Sequence, residues 1–200
     1  MHKIRRICVY CGSSSGADPA FIASARKFGR ILAENGIGLV YGGGDLGLMG
    51  AVAHAVLEAG GHVTGIIPHF LKKKENMLES VQELLVVGDM HERKRLMFEK
   101  SDAFVALPGG IGTLEELVEQ LTWVQLERHT KPVLIADIGG FWRPLLALLA
   151  HMRENRFIPR EREASYLVAE RVEDILPILD RANALTAARG FEKEDVRSEL

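Results

Sequence analysis

The stretch ALPGGIGTLEELVEQLTW, residues 106–123, closes an apolar run with a proline and three glycines in five residues, then opens a helical pattern that begins with two adjacent glutamates. Pro108 stops a strand, the glycines let backbone N–H groups approach a ligand closely, and Thr113 stands where a helix N-cap belongs. A strand that runs through a bare turn straight into a helix is the building unit of a parallel α/β sheet. Such a turn also welcomes an anion. Glu115 and Glu116 follow at once, and a carboxylate repels a phosphate beside it unless it faces another group, such as a sugar. A phosphate attached to an electron-poor sugar carbon satisfies both halves of the stretch.

Working outward, the same alternation repeats along the chain. Strand-like runs at 5–11, 38–42, 62–68, 83–88, 102–108, 132–137 and 166–170 are separated by amphipathic stretches at 19–35, 47–59, 90–100, 113–128, 141–154 and 171–185, with no helical stretch between 68 and 83. This order predicts a Rossmann-like, doubly wound α/β fold: a mostly parallel sheet with helices on both faces. Ligands of such sheets gather at the carboxyl ends of the strands. Three turns there are glycine-rich: CGSSSGAD (11–18), YGGGDLGLMG (41–50) and PGGIGT (108–113). We expect one domain over residues 1–185 and a mobile C-terminal tail, TAARGFEKEDVRSEL, over 186–200.

Two hundred residues with 47% hydrophobic content can bury one full core. A formal charge of −2 offers no footprint for nucleic acid. No apolar run reaches the roughly 18 residues of a membrane span, and the start MHKIRRICVYCG enters a strand directly, so a cytoplasmic protein is expected. Cys8 and Cys11 form a C-x-x-C match, but along an extended strand their Cα atoms stand about 10 Å apart, too far for a disulfide. Ordinary strand burial is the better account, and no second pair completes a metal site.

Each motif has a bland reading beside the functional one. Gly42, Gly44 and Gly47 match G-x-G-x-x-G, yet the next strand ends GIIPH without the acidic residue that a dinucleotide ribose needs. A tight structural turn competes there. Gly12, Ser14 and Gly16 match a nucleophile elbow with Asp137 and His151 as later partners, but His151 falls inside a helical pattern and no lipase-type oxyanion motif is present. Gly12, Ser13 and their neighbours suit phosphate or ribose contacts, or a plain turn. MHERKR (90–95) puts Arg93, Lys94 and Arg95 near a helix start, where cations oppose the helix dipole unless an anion offsets them. A solvated helix face is the alternative. The H-E-x-x-H zinc pattern fails because Arg95 occupies the second histidine position.

PGGIGTLEE (108–116) resembles the P-G-G-x-G-T-x-x-E signature of the LOG family, the cytokinin-activating phosphoribohydrolases often labelled lysine decarboxylases. GGGDLGLMG (42–50), MHERK (90–94) and CGSSSG (11–16) are similar to the family's other blocks in the same order, so the resemblance spans about residues 4–180. It implies hydrolysis of the N-glycosidic bond of adenine-type nucleoside 5′-monophosphates, cytokinin riboside monophosphate or AMP, with neither organic cofactor nor obligatory metal, by a homodimer. The family's catalytic arginine and glutamate fall on Arg93 and Glu116. Its substrate contacts fall on Glu75, Lys94, Gly109, Gly110, Ile111, Gly112, Thr113, Leu114, Glu115 and Thr122, with the turns at Gly12, Ser13, Gly43 and Gly44. Glu75 is placed by spacing within HFLKKKENMLE, and Ile111 replaces the tyrosine usual in plant members. A pyridoxal-anchoring lysine with a partner for the ring nitrogen, which a decarboxylase needs, is not recognisable. The alternative is a non-catalytic nucleotide-binding module, which needs no paired Arg93 and Glu116.

Overall fold

In a computed structural model of the protein, the described residues are 3–72, 76–158 and 165–185. Seven strands, β1 (Arg6–Tyr10), β2 (Gly38–Tyr41), β3 (Val63–Pro68), β4 (Glu83–Val87), β5 (Ala103–Ala106), β6 (Val133–Ala136) and β7 (Leu167–Ala169), form a single sheet in the order β4-β3-β2-β1-β5-β6-β7. Every neighbouring pair is parallel, so the sheet is wholly rather than mostly parallel. The chain starts mid-sheet, steps outward to β4, and crosses back to lay β5 on the other side of β1. The gap between the ends of β1 and β5 is therefore the topological switch point.

The helices are α1 (Pro19–Glu34), α2 (Gly47–Glu58), α3 (Met90–Glu99), α4 (Ile111–Gln125), α5 (Arg143–Glu154) and α6 over 175–185. One apolar layer joins β-strand residues such as Ile7, Val9 and Leu39 to Phe28 and Leu32 of α1, Val52 and Val56 of α2, and Ile175 and Leu179 of α6. The opposite layer joins Cys8, Tyr10 and Phe104 to Met97 of α3, Leu117 and Leu121 of α4, and Trp142 beside α5. Burial on both faces explains why these strands read as unbroken apolar runs instead of alternating. Helix starts follow local chemistry: Asp18 accepts the Ala20 N–H at 2.8 Å with Pro19 in the first turn, and Asp89 accepts the Glu92 N–H at 2.8 Å.

One expectation is corrected. Thr113 is not an N-cap: α4 begins at Ile111 on Gly110, and no side chain caps it. The T-x-x-E spacing of a capping box is thus coincidental, since both Thr113 and Glu116 lie inside the helix. Among the described residues, the connection from β3 to β4 carries a short 3-10 turn, His69–Leu71. The expected tail at 186–200 lies outside the described residues.

Candidate active site

Gly12 ties the three glycine turns together. Its N–H donates to Pro108 O at 3.1 Å, while its carbonyl accepts the N–H groups of Leu48 and Met49 at 3.0 and 3.2 Å. A side chain on Gly12 would stand 3.3 Å from the Gly109 Cα, so the first and third turns touch only because both are bare. Gly47, at φ 61°, presses on the Ser13–Ser14 peptide in the same way. The result is a cavity of about 240 Å³ at the switch point, lined by the 12–16 and 108–110 turns and walled by Phe21, Leu48 and Phe141. With no side-chain cap, the first N–H groups of α4 at Ile111, Gly112 and Thr113 are left for solvent or an anion. Gly109 and Gly110 border the cavity, Ile111 and Gly112 are exposed, and Thr113 is buried against Gly109.

On the α3–α4 side of the turns, Arg93 and Glu116 meet. Both are nearly buried, at 5% and 8% exposure, and Arg93 Nη2 lies 3.6 Å from Glu116 Oε1. That is ion-pair range but longer than a hydrogen bond. The negative charge of Glu116 is felt across the strand end: burial first, and Glu116 next, hold the Cys8 and Cys11 thiols well above the ordinary thiol range. Both cysteines are free and buried, which fits strand burial and not redox use.

Lys94 is engaged differently from its expected contact with substrate. Its Nζ pairs with Glu115 Oε1 at 2.6 Å and Glu119 Oε1 at 2.9 Å, joining α3 to α4. Burial alone would lower its pKa, but the hydrogen bonds it donates to Glu115 and Glu119, with the attraction of their charges, outweigh it and the ammonium stands above the ordinary lysine value. The charge run at 93–95 is thus not a solvated face. Only Arg95 behaves as one, pairing with Glu99 on its own helix. Glu119 escaped the sequence reading, although its spacing, one turn beyond Glu115 and Glu116, places it on the same side of α4.

The remaining predicted residues divide. Gly43 accepts the Leu78 N–H at 3.1 Å, Gly44 bridges to Met77, and the Asp45 N–H reaches Asn76 O at 2.9 Å, so the 76–78 segment lies along the second turn. Glu75 lies outside the described residues. Ser13 borders the cavity, and Leu114 is half-buried on the inner side of α4. Thr122 is not brought to the turns: its hydroxyl donates back to Val118 O at 2.8 Å, and it lines a groove between α4 and the end of α5. The nucleophile-elbow reading fails on geometry, since Asp137 Oδ1 accepts the Trp142 N–H at 2.7 Å and His151 sits in α5 hydrogen-bonded with Asn155. Among the described residues no cluster of three or more His, Cys, Asp or Glu could hold a metal.

Residues 49–179 match the family model described as possible lysine decarboxylase. A cytokinin riboside 5′-monophosphate phosphoribohydrolase of Arabidopsis thaliana, LOG3, is 49% identical over 162 residues, 80% of this chain and 75% of that one. The LOG protein of Oryza sativa subsp. japonica is 45% identical over 174 residues, 87% and 72%. The chain belongs to the LOG family. A third relative, LOG1 of Arabidopsis thaliana, is 41% identical over 201 residues and covers 97% of this chain and 93% of its own. Solved structures similar to this LOG-family chain include the molybdenum cofactor carrier protein from Chlamydomonas reinhardtii, with TM-score 0.70, 21% identity and coverage of 91% and 99%. The molybdenum cofactor binding protein of Rippkaea orientalis follows at 0.67, 22% identity and 90% and 98%. At that identity the likeness carries the Rossmann-like fold alone.

Proposed function

We propose that this LOG-family chain hydrolyses the N-glycosidic bond of adenine-type nucleoside 5′-monophosphates, cytokinin riboside monophosphate or AMP, releasing the free base and ribose 5-phosphate. The observation that carries the reading is the buried pair of Arg93 and Glu116, 3.6 Å apart beside the glycine turns. As the C1′–N bond breaks, its electron pair leaves on the base and positive charge builds on the sugar. A carboxylate held beside that carbon is worth more in the transition state than before it. Glu116 plays this part and orients the attacking water, whose oxygen bonds to C1′ while the proton it sheds ends on the departing base. Arg93, rigid and always charged, meets the electron density gained by the leaving base or holds the substrate for it. A module that only binds nucleotides has no use for such a pair.

The 5′-phosphate is received by the uncapped N–H groups at the start of α4, with the 12–14 turn beside it. Lys94 adds little charge there, because Glu115 and Glu119 already oppose it. In this reading the setting is the cytoplasm, where nucleoside monophosphates are held; among the described residues no helix is long and apolar enough to cross a membrane. The working form is a homodimer. Val118 of α4, Met152 of α5 and Phe157 are exposed and line the groove that holds Thr122. Light scattering at micromolar concentration reports twice the chain mass if so; a monomeric mass contradicts the pairing.

The test of the function is incubation of the purified protein with AMP, isopentenyladenosine monophosphate and the two matching nucleosides. Chromatography should find free base from at least one monophosphate and none from the nucleosides. Equal cleavage of a nucleoside and its monophosphate would remove the reading.

A further inference from the structure

Within the second turn, Gly43 and Gly47 have φ of 81° and 61°, so their backbone demands glycine. Gly42 has no such demand, because it does not adopt a positive φ. A Cβ placed on it would instead stand 2.2 Å from Arg93 Nη2 and 3.3 Å from Arg93 Cζ, with Met49 Sδ at 3.1 Å. The guanidinium therefore occupies the space that a side chain at position 42 would fill. Few hydrogen bonds hold it there. Among the described residues Arg93 Nε is buried without a hydrogen-bond partner, and Nη1 has only the Met90 sulfur at 3.9 Å. Shape, more than hydrogen bonding, sets where this cation stands.

We propose that Gly42 is a positioning residue, its missing side chain forming the seat that holds the Arg93 guanidinium against Glu116. The proposal rests on the hydrolase reading of Arg93 and adds a residue that touches no substrate. It also separates turnover from stability. The atoms an added methyl meets are the far ends of two flexible side chains, which can swing away without moving the backbone. Swinging away takes the guanidinium from Glu116, and a displacement of about 1 Å at a catalytic group costs on the order of a hundredfold in rate.

The test compares monophosphate hydrolysis and thermal melting of the wild type, Gly42→Ala, Arg93→Ala and the double variant. Gly42→Ala should lower kcat by about a hundredfold, change KM by less than about threefold, and shift Tm by no more than about 3 °C. In the Arg93→Ala background the same alanine should change kcat by less than about twofold, because its clash partner is gone. An equal loss in both backgrounds, or near wild-type kcat for Gly42→Ala, overturns the proposal. If Gly42→Ala melts early, shortening Arg93 should recover that loss; a Tm that stays low assigns the glycine to the backbone and also overturns it. Full turnover by Arg93→Ala removes the underlying reading of Arg93, whereas a normal loss there with an intact Gly42→Ala overturns this proposal alone.

Discussion

Glu115 and Glu116 are adjacent in sequence and opposite in circumstance. Consecutive residues stand about 100° apart around a helix, so Glu116 turns inward to 8% exposure while the Glu115 side chain stays about half exposed on Lys94. A charge in bulk solvent is screened, and a pair of this kind is worth at most about 1 kcal/mol. Glu115→Gln should accordingly keep turnover within about threefold of wild type, measured by release of base from a monophosphate. The two catalytic candidates were legible as residue types in MHERK and PGGIGTLEE, where cations at a helix start and carboxylates after a bare turn both call for a charged ligand. Their meeting was not legible, because it depends on how two separate helices cross the end of one sheet. Thr113 was misread for a related reason. Its spacing to Glu116 imitates a capping box, and only the backbone reveals that the helix starts on Gly110, three residues earlier than that pattern implies.

Between elements, Lys94 joins α3 to α4 through two carboxylates, and Glu119 Oε2 is buried without a partner among the described residues. Removing the cation leaves Glu119, with a side chain only 22% exposed, beside Glu115 and Glu116 without its ion-pair partner. Lys94→Met should lower the melting temperature by several degrees, on the order of 1–3 kcal/mol. Adding Glu119→Gln should recover part of that loss, since the stranded charge is then gone. A double variant no more stable than the single one would show that the ion pairs do not clamp the helices. The strands and helices themselves were legible almost to their ends, because burial on both faces gives unbroken apolar strands while helices such as α1 keep one apolar stripe. The crossing back from β3 to β4 was less so: its 76–78 segment is fixed by backbone hydrogen bonds to the second turn that no residue type announces.

Across the whole molecule, the far edge of the domain is tied by Lys27 of α1 to Glu173, which precedes α6. The hydrogen bond from Lys27 comes first in drawing Glu173 down from 4.5 to about 2, helped by its own backbone N–H and by Arg171. A carboxylate depressed in the folded state adds stability that is present above its unfolded pKa and fades as pH falls through the folded value. The difference in Tm between wild type and Glu173→Gln should therefore hold at neutral pH and shrink from about 4.5 towards 2; a constant difference over that range would contradict the tie. The switch point between β1 and β5 brings all three glycine turns to one edge, and hydrolysis there depends on what Glu116 does beside them. The measurement that reaches it most directly sets Glu116→Gln beside wild type on a nucleoside 5′-monophosphate, following free base, ribose 5-phosphate and Tm together. Glutamine keeps the shape and loses the charge, so the variant should melt within a few degrees of wild type yet release base and ribose 5-phosphate about a hundredfold more slowly or worse. A folded Glu116→Gln that turns over near the wild-type rate would contradict it.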